Sequence, residues 1–205
     1  MTDRHRHWET VYLDKAADAV SWFQPHAASS LQLIEDAVPD RNAAIIDVGG
    51  GASVLVDDLL DAGYVNLSVL DLAESALAAS RARLGTRAAA VNWIVADIIE
   101  AVLPEAAYDV WHDRAVFHFL TKDTDRARYV AQVLRAVKPS GHVIVAAFGP
   151  GGPLQCSGLD VVCYAPDALH AEFGASFRLL RHQTEIHYTP AGKEQEFVYC
   201  YCVRA

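Results

Sequence analysis

Residues 43–48 (AAIIDV) form a short apolar run that ends in Asp47 and Val48 and then meets three consecutive glycines, Gly49, Gly50 and Gly51. A chain that leaves a buried strand through glycines can turn sharply and let a ligand come against its backbone, because glycine tolerates positive φ and carries no Cβ. This is the geometry of a nucleotide site at the carboxyl edge of a parallel sheet. Two nucleotide fingerprints fail at the same turn. A dinucleotide motif counted from Gly49 needs glycine at position 54, where Val54 stands, and no lysine follows to complete a phosphate-binding loop.

Around this turn the chain alternates between strand-like and helical patterns. Val54, Leu55, Leu59 and Leu60 recur at helical spacing until Gly63, and residues 67–71 (LSVLD) read as a second strand. A helix at 74–84, strands at 91–96 and 108–112, a helix at 125–137 and a strand at 143–148 follow, with Pro139 and Gly141 expected to separate the last two. Such alternation predicts a largely parallel sheet covered by helices on both faces. Before it, 7–19 and 26–38 are expected as helices separated by SWFQP. After it come a glycine-rich loop at 149–164, a helix at 166–173, and two strands, 177–187 and 196–203, joined by TPAGK as a terminal antiparallel hairpin.

Length and charge narrow the function classes. A chain of 205 residues fits one domain. The formal net charge of −9 repels phosphate backbones and no concentrated basic patch offsets it, so no nucleic-acid partner is expected. No apolar run reaches the roughly 18 residues of a membrane span, so no membrane partner is expected. The charged start MTDRHRHWETVY lacks a secretory signal, which leaves a cytoplasmic location as the expectation. Cys156, Cys163, Cys200 and Cys202 show no C-x-x-C spacing, so no metal site is expected; Cys200 and Cys202 share a strand face, which suits packing or a metal pair.

Asp47, Gly49 and Gly51 together match the first motif of the class I S-adenosylmethionine-dependent methyltransferases, and nearly the whole chain resembles that family, with Ser53 in place of a third glycine and suited to cap the next helix. The resemblance implies an α/β, Rossmann-like, seven-stranded, mostly parallel sheet with a terminal antiparallel hairpin. It implies a single methyltransferase domain, 1–205, divided into a helical lid (1–40), a cofactor-binding core (41–148), and a substrate loop with the hairpin (149–205). It further implies S-adenosylmethionine as cofactor, with S-adenosylhomocysteine as product. Asp47, Gly49 and Gly51 would lie against its methionine end, Asp71 and Leu72 at the ribose, and Asp97 with Ile98 at the adenine. Trp22 belongs to an aromatic lid segment, His7, Trp8, Val11, Tyr12, Ser21, Trp22 and Phe23, that looks like the opening of small protein-lysine and, less closely, thiopurine-type methyltransferases.

At the reacting end, Asp113 is expected to orient the cofactor's amino group or the incoming nucleophile. His118 is the candidate general base, since imidazole titrates near neutrality, or else a histidine satisfied within its helix. Arg114 reads as a substrate clamp or an ion-pair partner, and Cys156 as a substrate contact or a bystander. The expected reaction is methyl transfer to a nitrogen, oxygen or sulfur nucleophile of a small molecule or protein side chain. The alternative is a non-catalytic interaction protein that retains the fold.

Overall fold

Thr2 opens the first helix by accepting a hydrogen bond from the His5 amide through its hydroxyl, in a computed structural model that describes residues 2–205. That cap, with Asp3 in the first turn, starts α1 (Asp3–Asp14) earlier than the expected residue 7, and the helix also stops short of residue 19. α2 (Ala28–Ala37) follows, and then β1 (Ile45–Val48), buried along its whole length, Asp47 included. The chain continues through α3 (Leu55–Asp61), β2 (Leu67–Asp71), α4 (Glu74–Leu84), β3 (Val91–Val95), β4 (Tyr108–Arg114), α5 (Asp123–Ala136) and β5 (Val137–Phe148). A two-strand ribbon, β6 (Gln155–Cys156) and β7 (Leu159–Asp160), lies within the expected loop. α6 (Pro166–Ala171) and the hairpin β8 (Phe177–Tyr188) and β9 (Glu194–Arg204) complete the chain.

The main sheet has seven strands in the order β3-β2-β1-β4-β5-β9-β8. β1 to β5 pair in parallel, whereas β9 runs antiparallel to β5 and β8 antiparallel to β9. Alternation along each strand divides the core into two layers. Ile46, Val48 and Trp111 pack on one face with Tyr129 and Val133 of α5, while Ile45 and Val110 pack on the other with residues of α2, α3 and α4. The direction of winding reverses between β1 and β4, so the crevice of a doubly wound sheet opens at their carboxyl ends.

A boundary inside the sheet also differs from expectation. α5 runs directly into β5 at Val137, and Pro139 and Gly141 sit inside an irregularity of that strand, where the pairing passes from Tyr108↔Val137 to Val110↔His142. A Cβ on Gly141 would come within 2.7 Å of Val137, so the residue that looked like a stop makes room for the bulge. Among the described residues, no helix is long and apolar enough to cross a membrane, and no cluster of three or more His, Cys, Asp or Glu side chains could hold a metal.

Candidate functional site

The turn after β1 is tied to β2 by two backbone bonds, from the Gly49 and Gly50 amides to the Leu70 carbonyl at 2.7 and 3.3 Å. Gly49 and Gly51 both adopt positive φ, +70° and +29°. A Cβ on Gly49 would stand 1.9 Å from a Val116 methyl, and one on Gly51 would stand 2.5 Å from Asp71 Oδ2. The glycines therefore bring the turn against the ends of both β2 and β4. Ser53 stands one residue before the N-cap of α3, Val54, and its hydroxyl accepts from the Leu55 amide at 3.1 Å, so it steadies the turn without occupying the cap expected of it.

A cleft of about 830 Å3, counted out to its open mouth, runs along these strand ends. Gly49, Asp71, Leu72, Asp97 and Ile98 line it, and Trp22 reaches it from the segment before α2. Asp71 Oδ1 accepts from the Ala73 amide at 2.8 Å, leaving Oδ2 toward Gly51. Burial, reinforced by the negative charge of Asp47, outweighs its backbone hydrogen bonds and raises the Asp71 carboxyl to about 7. Asp97 accepts from the Ile99 amide at 3.2 Å and pairs with Arg4 at 3.3 Å. Gly51 lines neither this cleft nor its neighbour; its contribution is the room it leaves for Asp71.

Asp47 faces a second cavity, of about 560 Å3, on the other side of the turn. The two cavities share Tyr12, Trp22, Gly49 and Arg114. His112 Nδ1 donates to Asp47 Oδ1 at 2.7 Å, and its Nε2 meets the Ser30 hydroxyl at 2.9 Å, with all three residues buried.

Asp113 and His118 line neither cavity. The Asp113 carboxyl is turned into the core, where Tyr129 donates to Oδ2 at 2.6 Å and the Val116 amide to Oδ1 at 2.9 Å. Burial raises it to about 7 against those bonds. It anchors the backbone after β4 to α5. His118 sits in a single 3-10 turn, Phe117–Phe119, fully buried and stacked on Phe148 with ring centroids 4.3 Å apart. Its Nδ1 accepts from the Phe148 amide at 3.2 Å, and Nε2 is enclosed without a partner. Burial, helped by the charge of Arg114, lowers it to about 3, so the ring is a poor proton acceptor as well as out of reach. The expected base thus finds no support in this geometry.

Residues the sequence singled out weakly or not at all complete the site. Trp8 and Tyr12 stand one turn apart on α1, and their rings lie 5.8 and 6.1 Å from that of Trp22 over the cleft. Glu9 docks α1 by accepting from the first amides of α4, Glu74 at 2.6 Å and Ser75 at 3.3 Å. Arg114 is held by three contacts: Nε to the Tyr199 hydroxyl at 3.2 Å, Nη1 to the Trp22 carbonyl at 3.3 Å and Nη2 to Glu185 Oε1 at 3.2 Å. Gln24 and Tyr199 also donate to Glu185. Burial alone would raise the Glu185 carboxyl, but the charge of Arg114 and hydrogen bonds from Ser29, Arg114 and Tyr199 hold it below the usual range. A continuous polar path therefore runs from Asp47 through His112, Ser30 and Tyr199 to Glu185. Its members come from five separate elements, and the one local cue is that strand alternation sends neighbours His112 and Asp113 to opposite faces.

Residues 46–145 match the family model described as a methyltransferase domain. Over 147 residues the chain is 28% identical to the ubiquinone/menaquinone biosynthesis C-methyltransferase UbiE of Dinoroseobacter shibae, covering 70% of this chain and 49% of that protein, so it spans about half the length of this relative. A solved structure described by the conversion of a disulfide bond into a thioacetal group during echinomycin biosynthesis superposes with a TM-score of 0.79 at 16% identity, covering 98% of this chain and 93% of that one. The N-methyltransferase NodS of Bradyrhizobium japonicum, in complex with S-adenosylhomocysteine, superposes at 0.70 with 11% identity, covering 96% and 97%. A glycine turn and acidic strand ends thus meet at one crevice of a sheet that shares the fold of these solved structures, within the stretch that matches a methyltransferase domain.

Proposed function

We propose that this protein transfers a methyl group from S-adenosylmethionine to a nitrogen, oxygen or sulfur nucleophile, using the crevice at the ends of β1 to β4. The observation that carries the reading is the room at Gly51: without a Cβ there, a buried Asp71 carboxylate oxygen stays beside the turn, in a cleft that Asp97 and Ile98 extend. Those residues fit an adenosyl group. Asp71, followed by Leu72, would accept from the ribose hydroxyls, and Asp97 with the Ile98 amide would meet the adenine. Asp47 and Gly49 would border the amino-acid end. Trp22, packed with Trp8 and Tyr12, would exclude water from above, which gives segment 1–40 the role of a lid over the core at 41–148, with 149–205 shaping the acceptor side. When bound, the cofactor supplies an electrophilic methyl group on a sulfonium. The protein's part is then alignment and desolvation, worth several kcal/mol of barrier in general. Asp113 serves as a positioning residue that fixes the backbone at Val116, against which Gly49 packs.

Calorimetry with S-adenosylhomocysteine tests the site. Asp71→Ala is expected to weaken binding by ~1.5–3 kcal/mol, the loss typical of hydrogen bonds to a charged group, without unfolding the domain. Affinity should also depend on pH. The unliganded carboxyl titrates at about 7, and donating ribose hydroxyls favour its ionised form, so binding releases a proton and weakens as pH falls through about 7. Asp71→Asn should flatten that dependence. Full affinity in Asp71→Ala would refute the assignment.

A further inference from the structure

Arg114 lines both cavities and is the charged side chain among the four residues they share. It is nine-tenths buried, with 9% of the side chain exposed, and the Phe197 ring covers one face of the guanidinium at 4.1 Å. A guanidinium has five N–H donors. Three are engaged, by Tyr199, Trp22 and Glu185, which leaves one on Nη1 and one on Nη2. Glu185 is closed off by Arg114, Gln24 and Tyr199, so it presents no open negative charge to a ligand. What Arg114 offers at the junction is directional donation from a buried cation.

The wall beside it is chemically plain. Among the described residues, Tyr12, Ala115, Val116, Phe119, Phe148 and Cys156 line the cleft there, with no imidazole and no carboxylate. Burial pushes the Tyr12 phenol and the Cys156 thiol above their ordinary values, so both stay protonated near neutral pH. The carboxylates of the first cleft, Asp71 at the end of β2 and Asp97 beyond β3, stand across β1 from Arg114, and Asp47 in the second cavity is occupied by His112. An acceptor that entered protonated would find no group in this wall to take its proton.

Building on the methyl-transfer reading, we infer that the acceptor is a small molecule that enters as an anion, a thiolate or carboxylate, and that Arg114 is the residue that recognises its charge. The step then balances without a base. A lone pair of the anion forms the bond to the methyl carbon, the carbon–sulfur bond breaks with its electron pair going to sulfur, and both products are neutral, with no proton to place. Cancelling two opposite charges is favoured in a water-excluded, aromatic cleft, because the ions lose more solvation there than the neutral products do. A protein lysine, entering as an ammonium, would meet Arg114 as a like charge.

The test uses the full chain saturated with S-adenosylhomocysteine, and reads binding of benzoate and of benzylamine through tryptophan fluorescence, since Trp8 and Trp22 line the cleft. Benzoate is expected to bind at least about tenfold more tightly than benzylamine near neutral pH, and equal or reversed affinities overturn the inference. With S-adenosylmethionine, thiophenol should be methylated at least about tenfold faster than benzylamine, and faster turnover of the amine overturns it. Replacing the ion pair as a unit, Arg114→Met with Glu185→Leu, avoids stranding a buried charge. That variant should lose benzoate affinity about tenfold and keep S-adenosylhomocysteine affinity within about threefold. If it instead loses S-adenosylhomocysteine and keeps 5′-methylthioadenosine, which lacks the amino-acid tail, Arg114 serves the cofactor's carboxylate and the inference falls. Failure of the unaltered protein to bind S-adenosylhomocysteine at all would sink the methyl-transfer reading itself.

Discussion

The two ends of the cleft are built in opposite ways. At the end proposed to hold the adenosyl group, Asp71, Leu72, Asp97 and Ile98 follow on strand termini, and their geometry is fixed by backbone amides and by the space that glycines leave. At the acceptor end, Tyr12, Trp22, Arg114, Cys156 and Phe148 come from widely separated parts of the chain and are held by side chains acting on side chains. A backbone-built site has little freedom to adapt, so damage to it is local and severe. A site assembled from side chains shares its load across many contacts, so single losses there are smaller and more readily compensated.

The sharpest way to break this contrast is at Gly51. A valine there meets a backbone with φ at +29°, which no side-chain rotation relieves, and an Asp71 oxygen 2.5 Å from its Cβ, which can move only by leaving its place beside the turn. Strain of roughly 1–3 kcal/mol adds to loss of the Asp71 contact, so Gly51→Val should weaken S-adenosylhomocysteine binding on the order of 100-fold or more. Binding within tenfold of the unaltered protein would mean that the turn yields, and that the adenosyl end is no more rigid than the other.

His118 gives the next largest effect, on stability rather than chemistry. Removing a ring that stacks on Phe148 inside the core leaves a cavity, and His118→Ala should cost about 2–4 kcal/mol in urea unfolding. Cofactor affinity and the pH profile of turnover should stay where they were, because the imidazole reaches neither cavity and titrates at about 3. A profile that lost a limb near neutrality would restore His118 as a base.

The same contrast explains what could be read from the residues alone. Asp47, Asp71 and Asp97 were legible because a short apolar run ending in an acid marks a buried strand reaching the sheet's edge, and three such ends in βα alternation converge by topology. The seven-stranded sheet and its antiparallel hairpin follow from the same pattern. Asp113 looked equivalent, yet strand alternation turns it into the α5 layer and sends His112 to Asp47 instead. His118 follows a strand end as an active-site histidine would, and only packing shows that Phe148 closes over it. Arg114, Glu185 and Tyr199 form one cluster across residues 114–199, and no local spacing signals a contact of that range. The bulge in β5 was hidden because Pro139 and Gly141 break a strand and a helix alike.

The smallest effect is expected where the proposed lid meets the proposed adenosyl end, at Arg4. Its guanidinium pairs with Asp97 at 3.3 Å and Asp125 at 3.1 Å, but a third of the side chain is exposed, and exposed ion pairs contribute about 0–1 kcal/mol. Glu9 on the next turn of α1 keeps that helix attached to α4 without it. Arg4→Ala should therefore weaken S-adenosylhomocysteine binding no more than about fivefold, through a looser lid, with unfolding unchanged. The difference from the unaltered protein should disappear near 1 M salt, where screening acts over about 3 Å. A much larger loss that persists in salt would show that α1 belongs to the rigid, backbone-built end of the cleft, and the division between the two ends would then run through the lid rather than beneath it.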